Sequence, residues 1–152
     1  MDGRGDFDFL IGDWQVKHRR LKRRLAGCDE WDEIAGTARN RSLLGGLCNV
    51  EEHRIDAPGI SGVAMRTFDV SRQLWSIYWV GSDGLLGAPI HGGFEGDVGS
   101  FEGEDEHDGR PIKARFRWTR DGADRARWEQ AFSADGGVSW EVNWTMDFVR
   151  SG

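Results

Sequence analysis

The sequence predicts an all-β fold: a single antiparallel up-and-down barrel of eight to ten strands with a short N-terminal helical turn. Turn signals recur at short intervals, and the chain holds 22 glycines but only 3 prolines in 152 residues. Several segments alternate apolar and polar residues, and none has the length and period of a crossover helix. These observations leave a barrel or a sandwich, and a barrel is favoured because closure removes the edge strands. No internal repeat or low-complexity linker divides the chain, so one domain is predicted over residues 1–152.

The elements follow in order along the chain. Residues 6–11 predict a helical turn that covers one end of the barrel with Phe7, Phe9 and Leu10. The first strand is predicted over residues 13–25, with Trp14 at its start in the barrel. The next strands are predicted at 34–44, 47–55, 63–68 and 74–80. In the last of these, Trp75, Ile77 and Trp79 share one face, whereas the two strands before it have no clear inward face.

The C-terminal third has the clearest period of two. Its three predicted strands cover residues 112–119, 126–132 and 140–150. In the last strand Glu141, Asn143, Thr145 and Asp147 alternate with the apolar residues Trp140, Val142, Trp144, Met146 and Phe148. An inward aromatic face and a solvated outer face are therefore expected.

The motif Gly12-Asp13-Trp14 resembles the Gly-x-Trp motif of lipocalin and fatty-acid-binding-protein barrels. In those families a basic residue near the end of the last strand packs across the tryptophan, and the resemblance gives this place to Arg150. The segment from Trp128 to Trp144 also resembles an uncharacterised group of bacterial calycin-like proteins. The resemblance implies a fold, and it brings no activity or assigned site residues.

Composition argues against several classes of partner. The formal charge of −6 gives no general attraction to nucleic acid, and the basic run at residues 17–24 would divide its charges between two faces of a strand. The basic run is explained equally well if the first strand is long and projects beyond the barrel, and if the acidic stretch at 102–108 balances its charges. No apolar run reaches the length of a membrane span and no signal peptide is recognised, so we expect a cytoplasmic protein with Cys28 and Cys48 reduced.

No metal or cofactor is predicted. The four histidines, His18, His53, His91 and His107, lack metal-ligand spacing. A haem barrel resembling nitrobindin would use a proximal histidine on a late strand, and no histidine follows His107. The turn at residues 133–140 matches one Asp-box of a sialidase-type propeller, but a propeller needs several copies, so a hairpin turn is the better interpretation.

The favoured function is non-enzymatic binding of a small apolar or aromatic molecule inside the barrel. A mostly apolar interior with few polar groups is typical of a small-molecule site, although it is also typical of a filled core. Eight tryptophans favour a cavity, because rings of this size pack a small barrel incompletely. The predicted ligand-binding residues are Trp79, Trp118, Trp128, Gln130, Trp144 and His18.

Two alternatives stay open. An isomerase or decarboxylase could use Arg115 and Glu129 as a polar pair, but this requires both side chains to point into the barrel. The second alternative is a homodimer formed through the strand at 74–80, which is apolar on both faces and carries Tyr78 on the second one. The N-terminal segment or the loop at 81–91 could cover that face instead.

Overall fold

The computed structural model describes residues 2–151, so the two ends of the predicted domain, Met1 and Gly152, lie outside the described residues. Ten antiparallel strands form a closed barrel in which each strand pairs with its neighbours in sequence and β1 pairs with β10. This confirms the predicted up-and-down barrel. The strands are β1 (Gly12–Leu21), β2 (Trp31–Leu43), β3 (Cys48–Ile55), β4 (Gly62–Asp69), β5 (Leu74–Val80), β6 (Ile90–Glu95), β7 (Val98–His107), β8 (Arg110–Asp121), β9 (Arg125–Ser133) and β10 (Glu141–Arg150).

The N-terminal segment closes one end of the barrel. Two 3-10 turns, Gly3–Gly5 and Asp8–Leu10, precede β1, and a third, Leu44–Gly46, joins β2 to β3. Phe7 and Leu10 are almost fully buried, as predicted from the sequence. We call residues 3–10 the N-terminal plug. Strand starts and ends alternate around the barrel, so the ends of β1, β3, β5, β7 and β9 form the opposite, open end.

The predicted contact between Arg150 and Trp14 is present. The Arg150 guanidinium carbon lies 4.1 Å from the centroid of the Trp14 ring. Its Nη1 and Nη2 donate hydrogen bonds to the carbonyls of Ile11 (2.8 Å) and Phe9 (2.9 Å). The last strand therefore ties the plug to the first strand at the closed end.

The basic run does not extend β1 as predicted. β1 ends at Leu21, and residues 22–27 form bends before β2. Lys22 Nζ lies 2.6 Å from Asp32 Oδ1, and Arg19 pairs with Glu33 at 3.7 Å, so the basic residues find acidic partners on the neighbouring strand. The acidic stretch at 102–108 lies in β7 and the turn that follows it, and β7 pairs with β6 and β8 and is not adjacent to β1. The predicted pairing between these two charged stretches is therefore wrong.

The inward faces of β8 and β9 are those predicted, but a bulge changes the face in β10. Val142 pairs with Ala131 and Trp144 pairs with Gln130, so Asn143 is an extra residue between them. Asn143 is fully buried, whereas Val142 is 36% exposed. Trp140 lies outside the barrel wall and stacks against Arg115, whose guanidinium carbon is 4.3 Å from the ring centroid. The prediction that one apolar face points inward from Trp140 to Phe148 is therefore wrong for the residues before Trp144.

The outer face of β5 is only partly covered. Tyr78 is half-buried and pairs with Met65 of β4, which in turn pairs with Val50 of β3. A bridge between Val80 and Leu86 brings the following loop back along the end of β5. Among residues 2–151, no helix is long and apolar enough to cross a membrane.

Candidate functional site

A cavity of about 160 Å³ lies inside the barrel between the plug and the open end. Its rim includes Gly87, Ala88 and Asp105, which are exposed at the open end. The volume is close to that of an engineered apolar cavity that holds one benzene molecule, about 150 Å³. The cavity walls are mainly aromatic, and the large side chains among them are Trp79, Phe116, Trp118, Trp128, Trp144 and Met146.

Five of the six predicted ligand-binding residues line this cavity: Trp79, Trp118, Trp128, Gln130 and Trp144. The sixth, His18, lies behind the wall, where it is fully buried. Its Nδ1 accepts a hydrogen bond from Trp144 Nε1 at 3.1 Å. His18 therefore positions a wall residue and does not itself face the cavity.

The aromatic walls are held by edge-to-face contacts. The Trp128 ring is nearly perpendicular to that of Trp144, with centroids 5.6 Å apart, and Phe116 packs edge-on to Trp128 at 5.0 Å. Such pairs add stability beyond the area they bury. The bulge in β10 supports this wall from the side, because Gln130 Nε2 donates to Oδ1 of Asn143 at 2.9 Å. The cavity is thus bounded by rings that hold one another in place.

The opposite wall carries a buried polar group that was not identified from the sequence. Arg66 is 2% exposed and Glu51 is fully buried. Arg66 Nη2 donates to Glu51 Oε1 at 2.6 Å, and its Nη1 donates to Asn49 Oδ1 at 2.8 Å. His53 completes the group, with Nε2 at 3.0 Å from Glu51 Oε1. Arg66 and His53 line the cavity, and Glu51 and Asn49 support them.

Strand parity places these side chains inside. From Asn49 onward the buried residues of β3 alternate, at Asn49, Glu51, His53 and Ile55, and those of β4 are Ala64, Arg66 and Phe68. Side chains two residues apart in a strand lie on the same face. Arg66 therefore lies on the same face as the apolar residues Ala64 and Phe68, and His53 lies on the same face as Ile55. That pattern is a signal in the sequence, but both strands are polar enough that their inward faces stay ambiguous without their partners.

Electrostatics hold Glu51 as a carboxylate. Burial alone would raise its pKa, but the charge of Arg66 and the contact with His53 outweigh burial and lower the pKa to about 2. The Arg66 guanidinium also lies between two rings, at 4.9 Å from the Phe7 centroid and 5.2 Å from that of Trp118. Arg66 thus connects the plug, the polar wall and the aromatic wall.

Some buried polar atoms of the cavity region have no protein partner among the described residues. They include Nδ1 of His53, Nε2 of His18, Oε2 of Glu51 and Nε1 of Trp118. Two of these belong to residues that line the cavity, His53 and Trp118. Groups of this kind are costly to bury unless they gain a hydrogen bond.

The residues of the predicted enzymatic pair lie on the outer wall. Arg115 alternates with Ala114 and Phe116, which line the cavity, and Glu129 lies between Trp128 and Gln130, which do as well. Glu129 accepts an ion-pair contact from Arg127 at 3.4 Å. The orientation required for substrate chemistry by this pair is therefore absent. Within residues 2–151, no cluster of three or more His, Cys, Asp or Glu side chains is arranged to hold a metal ion.

A comparison of the chain with models of known protein families finds no match, and a comparison with curated proteins finds no significant one.

Proposed function

We propose that the protein is a non-enzymatic binding barrel for a small apolar or aromatic molecule about the size of one ring. The observation that carries the proposal is the cavity of about 160 Å³, which five of the six residues predicted from the sequence line. Apolar walls with a few polar groups are the usual composition of a small-molecule site. The closed barrel and the Trp14–Arg150 contact also support placing the chain with calycin-like proteins, among which interior ligand binding is the expected use of the fold.

The size of the cavity sets the size of the ligand. A space comparable to one that holds benzene cannot hold a long acyl chain without large movements of the wall. The wall rings pack against each other at centroid distances of 5.0 to 5.6 Å, which favours a fixed volume. We therefore expect single-ring molecules to bind and fatty acids to bind weakly.

The test is a titration of tryptophan fluorescence with single-ring aromatic molecules and with fatty acids. Trp79, Trp118, Trp128 and Trp144 line the cavity, so an occupied cavity changes their emission. Ala64 lines it too and is buried, and Ala64→Leu should fill part of it and weaken binding by at least about tenfold, which corresponds to about 1.4 kcal/mol.

The matched control is Ala35→Leu, at an exposed position on β2, which should bind like the wild type. The proposal fails if no single-ring molecule changes the emission, or if Ala64→Leu and Ala35→Leu bind equally well.

A further inference from the structure

The barrel wall has a seam on one side, because β6 begins late. β5 and β6 share only three residue pairs, and the last of them joins Ile77 to Ile90. β6 and β7 share five pairs, and none lies beyond Glu102 of β7. β7 pairs with β8 over its whole length, so residues 103–107 pair on one edge only within the described part of the chain. The other edge of these residues faces the segment that leads into β6.

Residues 81–89, which we call the strap, fill the wall where β6 is missing. The strap is tied to β5, since the Gly87 amide donates to the Trp79 carbonyl at 2.8 Å. Among residues 2–151 it forms no hydrogen bond with β7, and Pro89 has no N–H to donate. The two nevertheless lie close, because a Cβ atom on Gly103 would be 2.9 Å from the Pro89 carbonyl oxygen. The strap is thus hydrogen-bonded on one edge and only packed on the other.

The exposed part of the cavity lining follows this seam. Among residues 2–151 that line the cavity, the exposed ones are Gly87 and Ala88 of the strap and Asp105 of β7. Asp105 belongs to the part of β7 that lacks a second strand partner, and its Oδ1 accepts a hydrogen bond from the Glu106 amide at 2.8 Å. The cavity therefore reaches solvent where the strap meets β7.

The end of the barrel opposite the plug is covered by apolar side chains. Leu25, in the bends after β1, is half-buried, and its amide donates to Glu141 Oε1 at 2.8 Å. Its side chain packs against a cluster formed by Ile112, Ala114 and Phe132. Ile60, between β3 and β4, packs against the main core. A molecule that passed through this end would have to displace these side chains.

We propose that the strap is a gate: a molecule enters and leaves the cavity between the strap and β7, and not through the end of the barrel. This rests on the proposed function and adds the path to its site. Movement of the strap away from β7 breaks no hydrogen bond between the two, whereas parting two paired strands breaks a ladder. The strap also contains Gly81, Gly84 and Gly87, and Gly84 has a φ of +78°, which glycine adopts without strain.

The experiment measures the association and dissociation rates of 4-bromophenol with the full chain by stopped-flow tryptophan fluorescence. Ala88→Phe places a ring at the seam and should lower both rates by about tenfold, because the molecule crosses the same barrier in both directions. The Kd, which is the ratio of the two rates, should stay within about twofold of the wild-type value.

Asp105→Phe narrows the seam from the β7 side and should slow both rates in the same way. It decides the question if near-ultraviolet circular dichroism shows that Ala88→Phe is not folded, or if the new ring enters the cavity and changes the Kd. The matched control is Ser82→Phe, at an exposed strap position that does not line the cavity, which should keep the wild-type rates. Leu25→Ala tests the end of the barrel and should also leave both rates unchanged.

The outcomes separate the two proposals. If 4-bromophenol does not bind to the wild type, the binding function itself fails. If it binds but both seam variants keep the wild-type rates, or if Leu25→Ala raises both rates by about tenfold, the gate is wrong and the binding cavity remains.

Discussion

At the scale of single residues, the barrel interior holds buried polar side chains among its apolar ones. His18 is the clearest case. It is fully buried in β1, and its Nδ1 accepts a hydrogen bond from Trp144 Nε1 at 3.1 Å. Burial, together with the charge of His53, lowers the pKa of His18 from 6.5 to about 4. The folded protein therefore holds this ring neutral in a range where the unfolded chain would protonate it.

This shift predicts a loss of stability on acidification. Between pH 6.5 and about pH 4 the unfolded chain binds a proton at His18 that the folded protein excludes, so stability falls as the pH falls. The contribution of His18 to the free energy of unfolding should be about 2–3 kcal/mol smaller at about pH 4.5 than at about pH 7.5. Urea unfolding at the two pH values measures it.

The comparison is with His18→Gln, which can still accept from Trp144 but does not titrate. Between the two pH values the free energy of unfolding of this variant should fall by about 2–3 kcal/mol less than that of the wild type. An equal fall in both proteins would contradict a buried neutral His18. Glu51 acts in a lower range, because its pKa of about 2 makes its contribution present above its unfolded value of 4.5 and lost only as the pH falls towards 2.

At the scale of elements, the match between sequence and structure depends on whether a strand shows its own inward face. β8 and β9 alternate apolar and polar residues without interruption, and their faces were predicted. In β10 one bulged residue, Asn143, reverses the face of everything before it, and the alternation of the sequence gives no sign of that reversal. The sequence does not predict β6 and β7 as strands, because glycines and acidic residues hide the period of two in residues 90–107.

The pattern within single strands also explains why the tryptophans of the site are predicted from the sequence and its polar residues are not. The tryptophans were identified because large rings mark an inward face. Arg66, Glu51 and His53 were not, because a charged side chain in a strand is expected on the outside unless its partners are known. Pairing between β3 and β4 brings the partners together, and pairing is a property of the fold, not of either strand alone.

The close packing at the closed end of the barrel predicts how a substitution at the start of β1 changes stability. Gly12 begins β1 with φ of +120°, and a Cβ atom there would lie 2.7 Å from Arg150 Nη1. Gly12→Ala should therefore strain the backbone and displace Arg150 from Trp14, at a cost of about 1–3 kcal/mol in the free energy of unfolding. Chemical denaturation measures this cost.

Gly93→Ala is the matched control, since a Cβ atom at Gly93 in β6 would meet no atom within 4 Å and its φ is not positive. It should change stability little. A Gly12→Ala protein as stable as Gly93→Ala would show that the Arg150 contact does not depend on the close approach at Gly12.

At the scale of the whole molecule, the barrel interior is divided into an aromatic wall and a polar wall. Strands β5 and β8–β10 supply the tryptophans of the cavity, and β3 and β4 supply His53 and Arg66. The plug closes the barrel below both walls, with Phe7 against Arg66 and 4.9 Å from Trp75. A molecule bound between the walls would contact rings on one side and hydrogen-bonding groups on the other.

The predicted homodimer also belongs to this scale. Val50, Met65 and Tyr78 form a half-buried ladder across the outer face of β3, β4 and β5. If this face joins two copies, the wild type sediments as a dimer and Tyr78→Glu as a monomer, because a charge cannot be buried there without a partner. Thr37→Glu, at an exposed position on β2, is the control and should leave the dimer intact. A monomeric wild type excludes the interface.

The most direct test of the binding cavity is a crystal structure of the protein grown with 4-bromophenol, whose bromine can be located by anomalous scattering. We expect one bromine peak inside the barrel among Trp79, Trp118 and Trp128. A barrel interior filled by side chains, or bromine found only on the outer surface, would contradict it.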